Sequence, residues 1–295
     1  MVFRIPAPFT AIHVIFHEAF TLGLHKVIGN VQEAVSAPLV ACVTLWIIIQ
    51  GFLVMRGQVD ARGGISRVVT VSIVVALILG QANYQLYIES VFDDTIPKLA
   101  HQISGSHLPF IGIPQKLDVM FAASQSAFQR IASEIGPMNQ QDILAFQGAQ
   151  WILYGALWTA FEIYDAVGIL TKVLLAIGPL VLVGYLFDHT RDMATRWIGQ
   201  LLSYGLLLVL LNIVATIVIA AESVALGVML AVIKYKGTTA AKIIGLYELD
   251  MLFLAGDALI VALPTIASSI AGGSWAGANQ SLSSLNRRIA KTAGG

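Results

Sequence analysis

VVTVSIVVALILGQANYQL (68–86) and AVGILTKVLLAIGPLVLVGYLF (166–187) decide how this chain folds. At a rise of about 1.5 Å per residue, a run of about 20 apolar residues covers the hydrocarbon core of a bilayer. Between the two runs lies 87–165, where Glu89, Asp93, Asp94, Asp118, Glu134, Asp142, Glu162 and Asp165 stand against only Lys98, Lys116 and Arg130. Oil-soluble runs on either side of an acidic stretch predict a polytopic membrane protein with a substantial water-exposed domain.

Outward from these runs the pattern repeats. Pro38–Met55, Trp197–Ala221 and Leu246–Ile270 have the length and apolarity of further spans, whereas Ser223–Ile233, about 11 residues, is too short to cross. Only 12% of the chain is charged, against about 25% in a typical soluble domain, and the mean hydropathy is +0.79. The expected fold class is all-α: about five transmembrane helices, an N-terminal amphipathic helix and a helical central periplasmic domain. The expected order is an amphipathic segment 1–37, a hairpin of spans one and two over 38–86, the central domain 87–165 and a second hairpin over 166–221. A less regular connector 222–245, span five over 246–270 and a Gly/Ser/Ala-rich tail 271–295 follow. In the first segment Phe9, Ile12, Ile15, Phe16 and Phe20 recur at helical spacing, and no cleavable signal core is evident.

Charge orients the spans. The short loop 56–67 carries Arg56, Arg62 and Arg67 against Asp60. The loop 188–196 carries Arg191 and Arg196, and the tail carries Arg287, Arg288 and Lys291. Basic short loops stay in the cytoplasm, so five crossings put the N-terminus and the central domain outside, in the periplasm of a Gram-negative host, and the C-terminus inside. Lys234, Lys236 and Lys242 run against this trend. The aromatic run Trp151–Tyr164 is expected as an interfacial helix feeding span three, with burial in the membrane as the alternative. Trp197, directly after Arg196, is expected to anchor the cytoplasmic end of span four.

Within the central domain, Leu117–Ile135 reads as a helix with Leu117, Met120, Phe121, Ser124, Phe128 and Ile131 on one face. After Gly136–Pro137, Asn139 can cap a second helix. Asp93, Asp94, Asp118, Glu134 and Asp142 are candidates for a substrate path or partner contact, because acidic walls repel phosphates and let cargo slide. The plainer alternative is that they solubilise the domain. A net charge of zero excludes whole-molecule attraction to nucleic acid, and the single Cys42 excludes an intramolecular disulfide or a multi-thiolate metal site.

His13 and His17 have the i,i+4 spacing of two metal ligands on one helix face. HEAFT (17–21) departs from the zinc-protease pattern, with Thr21 where the second histidine belongs, so interfacial packing is the preferred reading and no metal or cofactor is expected. No predicted span contains a histidine, which disfavours an intramembrane serine protease, and no phosphate-binding loop is present to supply energy. Lys172 and Asp257 fall inside predicted spans. They line a polar path or pair with one another on one reading; on the other, Lys172 snorkels and Asp257 makes a packing contact. Gly178–Pro179 and Pro264 are expected to kink spans three and five, and Gly273 and Gly277 have small-xxx-small spacing.

Five strings carry a resemblance to a known family: QEAVSAPLVACVTLWIIIQG (32–51), EIGPMNQQDILAFQGAQW (134–151), YDAVGILTKVLLAIGPL (164–180), RWIGQLLSYGLLL (196–208) and GTTAAKIIGLYELDMLFLAGDALIVALP (237–264). Together with IPAPFTAIH (5–13), they closely resemble the polytopic inner-membrane channel subunit of bacterial type IV secretion systems, the TrbL-like superfamily, in its T-DNA-transfer or conjugation form. The resemblance implies a non-enzymatic channel or platform that helps pass single-stranded DNA–protein complexes or effector proteins and supports pilus assembly, without a cofactor. It implies as partners a minor pilus subunit, an outer-membrane-spanning core scaffold, cytoplasmic ATPases and further copies of the chain, as a pentamer. It also ties Trp197 to transfer and the central loop to substrate contact. A pilus scaffold without a conduit, or a secondary transporter or ion channel, is the alternative.

Overall fold

The computed structural model describes residues 7–57, 61–103, 112–135, 140–234 and 237–271. Every described element is helical: α1 (Pro8–Met55), α2 (Ala61–Leu79), α3 (Gln81–Tyr84), two π-helical turns (Gln85–Glu89 and Val91–Thr95), α4 (Ile96–Ile103), α5 (Ile113–Ala132), α6 (Gln140–Ala176), α7 (Gly178–Leu182) continued by a 3-10 turn (Val183–Leu186), α8 (Arg191–Lys234) and α9 (Thr239–Ala271). Three of these helices, α1, α8 and α9, are long and apolar enough to cross a membrane. Two bent pairs, 67–79 with 82–100 at 104° and 140–176 with 178–186 at 48°, bring the number to five if each is one span. The chain is therefore an all-α polytopic membrane protein, as its hydropathy predicts.

The helices run further than the hydropathy windows. At 48 and 44 residues, α1 and α8 are about 70 Å long, twice what the hydrocarbon core requires. The amphipathic segment and span one are one continuous helix through Pro38, and 222–234, read from sequence as less regular, is helical. Likewise Trp151–Tyr164 is the middle of α6, and α9 runs unbroken through Pro264. Helix α1 ends where Gly57 takes a positive φ of 69° and its N–H reaches back to the Val54 carbonyl, a left-handed C-terminal cap that a side chain would strain. The bend after α2 falls at Gly80, where an added Cβ would sit 2.8 Å from the Ala76 carbonyl oxygen.

Two compact units form. The first comprises 1–17, 97–168 and 208–264. Its core is the predicted face of α5, with Leu117, Met120, Ser124, Phe128 and Ile131 all buried, packed with an aromatic nest. The Phe9 ring meets Phe121 edge-on at 5.9 Å and lies 5.2 Å from Phe161 and 5.8 Å from Trp158. The second unit comprises 18–96, 169–207 and 265–295. Its core joins Ile28, Leu39 and Trp46 of α1, Val71, Val74 and Ile78 of α2, Tyr84, and Leu175, Leu182 and Trp197. Gly136, Pro137, Asn139, Gly273, Gly277, Arg287 and Arg288 lie outside the described residues, as does the side chain of Arg62.

Candidate functional site

In the second unit the chemistry gathers at the break after α6. A helix end leaves its last four carbonyls without intrahelical donors, and in a bilayer no water replaces them. Here Val173 keeps its ordinary helical donor, and the next two carbonyls find substitutes. The Val173 carbonyl accepts the Ile177 N–H at 3.3 Å. The Leu174 carbonyl accepts the Trp197 indole N–H at 2.9 Å, and the Leu175 carbonyl accepts the Tyr84 hydroxyl at 2.5 Å. The helical donor for Leu175 would be residue 179, which is proline and has no N–H. Tyr84 and Trp197 are both buried, and they close over Gly178. A Cβ there would strike the Tyr84 hydroxyl and come within 2.7 Å of the Trp197 ring. The expected kink is thus a clamped break, and Trp197 is an internal donor to it. Tyr84, which hydropathy does not single out, is the second donor. Replacing Tyr84 with phenylalanine should cost about 1–3 kcal/mol, because a buried carbonyl loses its only substitute donor; thermal unfolding of the purified protein in detergent checks this.

Both arginine loops belong to this unit. Arg67 and Arg191 line one cavity of about 350 Å³ with Trp46, Gln50, Tyr185 and Asp188. The Arg191 guanidinium lies 5.4 Å over the Tyr185 ring, and that of Arg56 lies 4.6 Å over Phe52. Arg196 is exposed. Lys172 donates to the Thr21 hydroxyl at 2.6 Å. The two residues share a cavity of about 20 Å³, room for one water, with His25, Glu89 and Asp93. His25 Nδ1 stands 3.5 Å from the buried Glu89 carboxylate. Asp93 and Asp94 are exposed on the second π-helical turn.

The remaining candidates fall in the first unit. Asp118 is buried and caps the start of α1: the N–H groups of Phe9 and Thr10 donate to its two oxygens at 2.9 and 3.0 Å. Such a carboxylate satisfies orphan donors and meets the positive end of the helix dipole, so it is a holding group and presents no exposed acidic wall. Glu134, 39% exposed, receives both short hydrogen bonds of the buried Lys242 ammonium, at 2.7 and 2.5 Å. Of the three lysines that ran against the charge trend, Lys242 therefore has a dedicated counter-ion. Asp142 opens α6 and is partly exposed. Lys116 donates to the Thr216 hydroxyl at 2.9 Å, and burial lowers its ammonium below the ordinary lysine pKa. Asp257 lines a small cavity with Glu222, Leu117, Phe253 and Ile260. Glu222 lies across Gly256, where a Cβ would meet its Oε1 at 2.6 Å. Lys172 and Asp257 thus have separate polar neighbours, each within its own unit.

His13, on the first turns of α1, stands 2.7 Å from Asp165 of α6, Nδ1 to Oδ1. His17 Nε2 lies 3.8 Å from the same oxygen, and the two imidazole rings are 4.1 Å apart. Asp165 is the member that sequence spacing could not supply, being 152 residues from His13. Among the described residues this is the group of histidines and carboxylates close enough together to hold a metal ion.

A family model described as TrbL/VirB6 plasmid conjugal transfer protein matches residues 43–255, which include the clamped break with Trp197, and Asp118. The chain belongs to the TrbL/VirB6 family. Protein VirB6 of Agrobacterium fabrum (strain C58) is 70% identical over 291 residues, 99% of each chain. Protein VirB6 of Rhizobium radiobacter is 68% identical over the same span and coverage. Type IV secretion system protein VirB6 of Bartonella quintana is 22% identical over 281 residues, 90% of this chain and 80% of its own. The TrbL/VirB6 match begins after His13 and His17, whereas the Agrobacterium likeness extends across nearly the whole chain.

Proposed function

We propose that this protein, a multi-pass inner-membrane component of a type IV secretion system, is the platform through which the system passes its cargo across the inner membrane. The cargo is a single-stranded DNA–protein complex or an effector protein, and the same platform supports pilus assembly. The observation that carries the reading is the joining of membrane-length helices to exposed carboxylates at Asp93 and Asp94. Such groups repel a phosphate backbone and keep a polyanion moving. Energy comes from separate cytoplasmic ATPases.

In this proposal the N-terminus and 87–165 face the periplasm and the C-terminus the cytoplasm. The sharing of one cavity by Arg67 and Arg191 supports placing both arginine loops on one side. Several copies, five in our reading, assemble around an axis with the minor pilus subunit above them and the outer-membrane-spanning core scaffold outside. Ile15 and Leu22, 66% and 75% exposed on α1, supply apolar surface for such packing.

Photo-reactive residues at positions 93, 94, 134 and 142, and across 246–270, test the reading in cells transferring DNA. Crosslinks to the translocating strand that require the ATPases are expected in 87–165. Active transfer with no crosslink at any position overturns the conduit and leaves a scaffold for pilus assembly. Neutralising Lys172 and Asp257 together should leave transfer intact; its loss would favour an ion-coupled transporter.

A further inference from the structure

We infer that His13, His17 and Asp165 form a binding site for a divalent transition metal of the zinc class, which pins the first turns of α1 to α6 within the first unit. The inference stands independently of the conduit reading. Its basis is geometric. A tetrahedral zinc site has metal–nitrogen and metal–oxygen distances of about 2.0–2.2 Å, which puts neighbouring ligand atoms about 3.3–3.6 Å apart. The two separations to Asp165 Oδ1, 2.7 Å from His13 Nδ1 and 3.8 Å from His17 Nε2, bracket that value, and all three ligand atoms lie within 4.8 Å of one another. Two imidazoles and a carboxylate are ligands suited to zinc, and three protein ligands leave a fourth position for water.

The surroundings fit as well. The side chains of His13, His17 and Asp165 are 20%, 26% and 11% exposed, so the ligands are held by packing and an ion can still enter. Gly168, one turn beyond Asp165 on α6, lets His17 approach: a Cβ there would stand 3.2 Å from the His17 Nε2 atom that would bind the metal. The Tyr164 ring lies 5.8 Å from that of His13 and limits its swing. Without metal, the His13 Nδ1–H donates to Asp165; with metal, His13 takes the tautomer that carries its hydrogen on Nε2, Nδ1 binds the ion, and His17 Nε2 and the Asp165 carboxylate bind beside it.

The test uses the full chain purified in detergent without a polyhistidine tag, stripped with chelator and titrated with Co²⁺. One equivalent is expected to bind with the visible absorption of near-tetrahedral nitrogen–oxygen coordination, to be displaced by Zn²⁺, and to raise the unfolding temperature. H17Q and D165N each remove a ligand, so their binding should weaken by more than the about 10–100-fold lost when an outer-shell partner is removed. G168A keeps all three ligands and crowds His17, and should weaken binding without abolishing it. H17Q replaces the most exposed of the three ligands and is the variant that best retains the fold. A wild-type chain that takes up neither Co²⁺ nor Zn²⁺, or folded H17Q and D165N that bind as the wild type does, overturns the site.

Discussion

Alanine at position 178 should destabilise this protein by about 1–3 kcal/mol or more, as overpacking a filled interior does. The added methyl has nowhere to go: the Tyr84 hydroxyl and the Trp197 ring already occupy its place, the ring at 2.7 Å. Both side chains are tethered by hydrogen bonds to α6, so neither can withdraw without releasing a carbonyl. The expected results are a lower unfolding temperature in detergent and altered Trp197 fluorescence. The clash is with the tyrosine hydroxyl, so G178A and Y84F should be less than additive when combined. A G178A protein as stable as the wild type would show that the clamp is not closed.

Replacing Asp118 with alanine should cost about 1–2 kcal/mol, at the upper end for loss of a helix cap. Two backbone N–H groups lose their acceptor together, and the positive end of α1 loses a nearby anion. Asparagine should fall between, keeping one acceptor oxygen without the charge. Protease protection of the first turns of α1 reads the effect locally, and unfolding temperature reads it globally. If D118A matches the wild type in both, the carboxylate is not holding the helix, and the sequence-based view of Asp118 as a path residue regains its place.

Much of the fold could be read without coordinates because apolar length is a local property. The five runs, the buried face of α5 and the break at Gly178–Pro179 follow from windows of about 25 residues or fewer. Continuity did not follow. The join of the amphipathic segment to span one carries Pro38, which reads as a boundary, yet α1 passes through it. Gly80 sits in an apolar run, where one glycine is ordinarily tolerated, yet the chain bends by 104° there, and an added side chain would meet Asn83 and the Ala76 carbonyl oxygen. The site residues were legible by type but not by occupation. Asp118 pairs with backbone more than 100 residues away, Lys242 with Glu134 and His13 with Asp165. Such pairings depend on which helices meet, and periodicity along one helix does not encode that.

The clamped break also bears on how the chain enters the bilayer. Leu174 and Leu175 expose carbonyls that lipid cannot satisfy, and one donor, Tyr84, has already been synthesised when they emerge. The other, Trp197, lies 23 residues later, on the next long helix. The end of α6 therefore gains its donor for Leu174 only once the start of α8 has been made. A single indole nitrogen ties the completion of one helix end to the arrival of the next long helix.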